Sequence, residues 1–228
     1  MKKIVSIMAV VVLAASCQFV SVNGNAKDKI KVEYSFNNEV VIDTLDLAGF
    51  SAIVVSGQGD IDFVQAPEFL VVLQAKEGIA EKLDCYVKNG KLYLDRKKQE
   101  RIKEHYRFTI HAPLLTAITV NGAADLKLGP YAANEDLEIE VNGAGDLDCR
   151  EVCVPVFKIA VNGAGDIDAS NMNVERLSVE VNGAGDAKLS GVADEVKLRL
   201  SGAGDIDARG LKANKINKEK NGVGKIRL

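Results

Sequence analysis

Apolar and polar residues alternate strictly in four places along the second half of the chain. Leu137, Ile139 and Val141 are separated by glutamates, and Phe157/Ile159/Val161, Leu177/Val179/Val181 and Val196/Leu198/Leu200 repeat the pattern. A period of two predicts a strand with one face buried. Each run leads into a glycine-containing pentapeptide: Asn142-Gly143-Ala144-Gly145-Asp146, Asn162-Gly163-Ala164-Gly165-Asp166 and Asn182-Gly183-Ala184-Gly185-Asp186, with variants starting at Asn121, Ser201 and Asn221. A shorter alternation follows the turn, as in Leu126/Leu128, Leu147/Cys149, Ile167/Ala169 and Ala187/Leu189. Successive pentapeptides start 21, 20, 20, 19 and 20 residues apart. A fixed period of this size is the signature of a solenoid.

Twenty residues at about 3.3 Å each give roughly 66 Å of extended chain. That closes a coil of about three short sides and leaves no room for a strand, a helix and two loops. The fold class expected is therefore all-β, a parallel β-helix of coils about twenty residues long, preceded by a less regular β region. Right-handed winding is expected from the handedness of parallel crossovers. Stacked coils place Asn121, Asn142, Asn162 and Asn182 in a ladder, each amide donating to the next, with Ser201 interrupting it. In the last coil Lys218 and Lys220 occupy inward positions, which marks it as a cap against further stacking.

Ahead of the repeats, strands are predicted at 40–42, 50–55, 61–63, 69–73 and 106–110, with a short helix at 77–83. Asn89-Gly90 between alternating runs predicts a hairpin over 86–94, and the charged stretch 96–107 reads as a solvated connector. Ser56-Gly57-Gln58-Gly59-Asp60 is a stray copy of the turn. The chain divides into a leader and linker (1–26), an N-terminal β region (27–112) and the repeat β-helix (113–228). Met1-Lys2-Lys3 and the apolar residues 4–15 form a signal peptide, too short to span a bilayer. Cys17, in Leu13-Ala14-Ala15-Ser16-Cys17, is a candidate lipid-attachment site, although Ala14 stands where a bacterial lipobox usually has a larger aliphatic residue. Ordinary cleavage near Ser16 or after Ala26 is the alternative. Either route predicts export, to the periplasm, the outer membrane or the cell surface.

At this point the residues carry a resemblance. The strand around Phe50–Val55, the Gly-Gln-Gly-Asp turn at 57–60, the hairpin at 87–94, a strand ending in Ala112-Pro113 and the repeated pentapeptides resemble the family of bacterial envelope proteins called putative auto-transporter adhesin, head GIN domain. The resemblance covers about residues 40–226, and the short, Lys-rich 221–228 departs from it. It implies a secreted β-helical protein with an adhesin-like role and supplies no catalytic residues.

A formal charge of −3, with no basic face spread over the repeats, argues against nucleic acid as a partner. Aromatic residues make up 5 % and tryptophan is absent, which disfavours a sugar-stacking platform. Cys85, Cys149 and Cys153 do not make a disulfide framework or a zinc site. The Asp closing each turn (Asp125, Asp146, Asp166, Asp186, Asp205) should form a column whose members repel by about 1 kcal/mol per neighbour in water. Calcium is the sharp reading of that column; solvated surface charge with local Asp-turn hydrogen bonds to backbone N–H groups is the favoured one. Two residues further on, Lys127, Asp148, Asp168, Lys188, Asp207 and Arg227 form a second column, expected to be exposed, whose cations compete with a metal. No metal and no cofactor are therefore expected, and the turn residues are assigned a structural role. Acid pairs such as Asp146/Asp148 and Asp166/Asp168 are expected to face apart, and no insertion walls a cleft, so the chain is read as a non-enzyme. The expected function is an adhesin-like or scaffolding envelope protein that presents a binding surface, with a carbohydrate-binding or carbohydrate-active β-helix as the alternative. The partner is expected to be an extracellular glycan or protein, with membrane contact only through a lipid anchor; oligomeric state stays open.

Overall fold

The structure, a computed structural model, describes residues 40–228. The first part contains β1 (Val40–Leu45), β2 (Ala52–Gln58), β3 (Asp60–Gln65), β4 (Leu70–Lys76), β5 (Leu83–Lys88), β6 (Lys91–Arg96) and β7 (Arg107–Ala112). The repeats supply β8 (Ala117–Ala123), β9 (Leu126–Leu128), β10 (Tyr131–Ala132), β11 (Leu137–Ala144), β12 (Leu147–Arg150) and β13 (Val152–Ala164). They continue through β14 (Ile167–Ala184), β15 (Ala187–Ala203), β16 (Ile206–Lys220) and β17 (Ile226–Arg227).

These strands wind into a parallel β-helix of about six coils. One side stacks β6, β2, β8 and β11 in that order, then the later parts of β13 to β16. A second side stacks β7, β3, β9 and β12, then the starts of β14 to β16, and finally β17. A third begins at β10 and continues through the start of β13 and the middles of β14 to β16. The period-two alternation decides what fills the interior. Ile118, Ile139, Ile159, Val179 and Leu198 lie in register, one per coil, and each is 0–1 % exposed. One continuous apolar core runs from Phe50 to Ala208.

The N-terminal region shares this stack. Ser56-Gly57 lies in register with Asn121-Gly122, and Ile61 with Leu126, so β2 and β3 follow the same course as the later coils. That end is then closed differently: β4 pairs antiparallel with β7, and β1 antiparallel with β4. The hairpin β5–β6 turns at Asn89 and Gly90 with φ of 52° and 72°. Positive φ at both central residues is the type I′ geometry that Asn-Gly favours. The helix expected at 77–83 is a correction: only the 3₁₀ turn Ala80–Lys82 forms, because so few residues cannot offset the cost of nucleating an α-helix.

The single 19-residue step is absorbed at one corner. Ala169 pairs with Leu189 but Met172 pairs with Gly191, leaving Asn171 as an extra residue at φ 57°. In the final coil Lys218 and Lys220 lie over Leu198 and Leu200 and are exposed.

Candidate functional site

The corner between the first two sides is built by the pentapeptides, and three ladders run along it. Asn142 Nδ2 donates to Asn121 Oδ1 (3.1 Å), Asn162 Nδ2 to Asn142 Oδ1 (2.9 Å) and Asn182 Nδ2 to Asn162 Oδ1 (2.9 Å). Ser201 lies in register with Asn182 and ends the series. Gly143, Gly163 and Gly183 form the second column and Gly145, Gly165 and Gly185 the third. At Gly163 a Cβ would be driven into the carbonyl oxygen of Gly143, and φ is 152°. Gly165 is excluded from bearing a side chain by the carbonyl of Gly145 alone. Close approach of the coils requires glycine at both positions, and at Gly163 the backbone conformation requires it as well.

The carboxylates of the turn bond to the backbone of the next coil. Asp125 Oδ1 accepts from the Asp146 N–H (3.0 Å), Asp146 Oδ1 from Asp166 (2.9 Å), Asp166 Oδ1 from Asp186 (2.8 Å) and Asp186 Oδ1 from Asp205 (2.8 Å). Lys225 N–H completes the series on Asp205 Oδ1 (2.7 Å). Hydrogen bonding of this kind, with one oxygen of each carboxylate held by a backbone donor, offsets the repulsion along the column. At the opposite end the register places Arg107 beneath Asp60 and Asp60 beneath Asp125. Arg107 donates to Asp60 Oδ2 at 3.1 Å, and His105 Nε2 lies 2.9 Å from the same oxygen. A cation therefore closes the acidic column at each end: Arg107 at one, and Arg227, 2.7 Å from Asp205, at the other.

Beside this column an open groove of about 470 Å³ runs along the corner. Its floor is Leu147, Ile167 and Ala187; Asp146, Asp166, Asp186 and Asp205 line one side, and Asp148, Asp168, Lys188, Asp207 and Arg227 the other. The expectation that Asp146 and Asp148 face apart is corrected: residues two apart on a strand project from the same side, and both line the groove. The second column is also less exposed than expected, since Asp148, Asp168 and Asp207 are half-buried. Asp148 and Asp207 are paired locally, whereas the buried Oδ1 of Asp168 has no hydrogen-bond partner. Arg150 clasps Asp148 with two bonds of 2.8 Å, and Arg209, through its guanidinium and backbone N–H, holds the Asp207 carboxyl well below the usual carboxylate range.

No cluster of three or more His, Cys, Asp or Glu side chains is close enough to hold a metal among the described residues. Cys149 is buried, and desolvation, then Asp148 and Asp168, push its thiol well above the ordinary range. Burial, then Asp84 and Asp95, push the Cys85 thiol up to about 12. Cys153 is exposed, and Cys17 lies outside the described residues. The residues that sequence reasoning missed are Asp60, His105 and Arg107. The turn-like Ser56–Asp60 was their one signal, because the Asp60–Arg107 pairing spans 47 residues.

The model of the family described as putative auto-transporter adhesin, head GIN domain, matches residues 49–228. Among solved structures, a putative adhesin from Bacteroides fragilis superposes with a TM-score of 0.69 at 19 % identity, over 82 % of this chain and 96 % of that one. A putative lipid binding protein from Parabacteroides distasonis superposes with a TM-score of 0.61 at 14 % identity, over 82 % of this chain and 92 % of that one. At these identities the likeness is one of fold. No curated protein matches the sequence.

Proposed function

Since the chain belongs to the putative auto-transporter adhesin, head GIN domain family, we propose that it is an exported, non-enzymatic envelope protein that presents the charged corner of its β-helix to an extracellular glycan or protein. The observation that supports this most is the open groove of about 470 Å³, lined along successive coils by carboxylates, Lys188 and Arg227. A row of charges at the coil spacing of about 4.8 Å suits an extended polar ligand contacted at many weak points. The carboxylates on the acidic side are each held by a backbone N–H, which fits a rigid binding surface better than a proton-transfer pair. Export rests on the leader 1–15, and the anchor on Cys17.

A carbohydrate-active reading is kept by one observation: Asp146/Asp148 and Asp166/Asp168 line the same groove. A glycan array combined with a polysaccharide depolymerisation screen separates the two. Binding without release of reducing ends supports the adhesin-like reading; depolymerisation lost in Asp166→Asn overturns it. Mass spectrometry of the mature N-terminus tests the anchor, with an acylated Cys17 expected and a chain beginning at Lys27 against it.

A further inference from the structure

The layer formed by residues 209–227 differs in charge from the one beneath it. It carries seven Lys or Arg residues against one carboxylate, Glu219, whereas residues 189–208 carry two cations and four carboxylates. Arg209, Lys215 and Arg227 pair with Asp207, Glu195 and Asp205 of the layer below. Lys212, Lys218, Lys220 and Lys225 are exposed and have no carboxylate partner among the described residues. Lys218 and Lys220 lie over the fully buried Leu198 and Leu200. Their aliphatic stems thus cover the last apolar layer; the Lys220 ammonium rests on the Gly224 carbonyl at 3.1 Å, which leaves it at the rim of the final coil. In the same layer Val223 is 80 % exposed, more than any other large hydrophobic residue among those described, and Leu228, just beyond it, is 51 % exposed.

A cap that only blocks further stacking needs charge of either sign and no exposed aliphatic groups. Charge of one sign combined with protruding aliphatic side chains is the pattern taken by an anionic lipid surface. Sides of about six residues at about 3.3 Å each make the end of the coil a flat face roughly 20 Å across. We propose that this end of the β-helix docks on an anionic membrane, with Lys212, Lys218, Lys220 and Lys225 against phosphate headgroups and Val223 at the headgroup boundary. This departs from the expectation that membrane contact runs through Cys17 alone. It is independent of the ligand presented along the corner groove, so either proposal can fail without the other.

The test is co-sedimentation of the mature protein carrying Cys17→Ser, which removes any acyl anchor, with phosphatidylcholine vesicles that contain or lack phosphatidylglycerol. Binding to the anionic vesicles alone is expected at low salt, lost near about 1 M NaCl, where the Debye length is about 3 Å. Each lysine near an anionic surface is worth about fivefold in affinity, so Lys212, Lys218, Lys220 and Lys225 all changed to Gln should weaken binding on the order of a hundredfold or more. The same charge change at Lys76, Lys88, Lys91 and Lys158 should leave most of it. Val223→Ser, at a site too exposed to affect folding, should weaken binding several-fold, and it decides the question if the lysine variant folds poorly. Absence of binding to anionic vesicles at low salt, equal loss in the control set, or capture by soluble dextran sulfate in place of vesicles overturns the proposal.

Discussion

Asp166 offers a direct way to separate the hydrogen-bonding role of the acidic column from its charge. Its Oδ1 accepts from the Asp186 N–H at 2.8 Å, and its own N–H donates to Asp146 Oδ1 at 2.9 Å. The neighbouring carboxylates are exposed, so at the coil spacing of about 4.8 Å each repels it by about 0.9 kcal/mol in water. Asp166→Asn relieves about 1.7 kcal/mol of repulsion from two neighbours and keeps an oxygen acceptor, while exchanging a charged hydrogen bond for a neutral one at a loss of about 1 kcal/mol. The net change should lie within about 1 kcal/mol of zero, and any gain should fade in high salt. Asp166→Ala gives the same relief but leaves the Asp186 N–H without its partner, so it should be less stable than Asp166→Asn by about 0.5–1.5 kcal/mol. Urea melts of the three proteins at low and high NaCl measure both quantities. Equal stability of the Asn and Ala variants would show that the bond to the next coil contributes nothing. A loss of several kcal/mol in Asp166→Asn would show that the carboxylate itself is required, as it would be around a bound cation.

Asn162→Ala removes a donor to Asn142 and an acceptor for Asn182 and should cost about 1–2 kcal/mol in a denaturant melt, whereas Ser201→Asn should extend the ladder and raise stability by about 0.5–1 kcal/mol. Ile159, 1 % exposed between Ile139 and Val179, should cost about 2–4 kcal/mol when truncated to Ala, and Gly163→Val should cost at least as much because Gly143 backbone occupies the space; melts in which both were neutral would contradict the stacked corner. With Cys17→Ser present, alkylation of the native protein near about pH 8 should label Cys153 quickly. Cys85 and Cys149 stay protonated there and should react only on unfolding, as peptide mapping by mass spectrometry would show.

The repeat half of the fold was legible because one physical constraint governs it. A period-two run joined to a fixed turn at a near-constant step sets strand, register and core together, so Ile139, Ile159 and Val179 could be placed in one column. The N-terminal half was less so, since its strands reach partners far along the chain: β2 inserts between β6 and β8, and nothing local to Ala52–Gln58 specifies that position. The same reason hid the closure of the acidic column by Arg107. The groove was misjudged on a point of geometry, the side from which Asp146 and Asp148 project. The destination of the turn carboxylates could not be read from spacing either, because each bonds to a backbone N–H about twenty residues away in sequence and one coil away in space.

The most direct measurement of the functional reading is a binding and turnover assay on one set of ligands: the mature protein on a glycan array and on extracellular matrix proteins, with reducing ends followed for every polysaccharide it retains. The account predicts retention that weakens when Lys188 and Arg227, on the groove wall, are both changed to Glu, and no release of reducing ends. Catalytic depolymerisation by the unmodified protein, abolished by Asp166→Asn in a variant that still melts cooperatively, would contradict it.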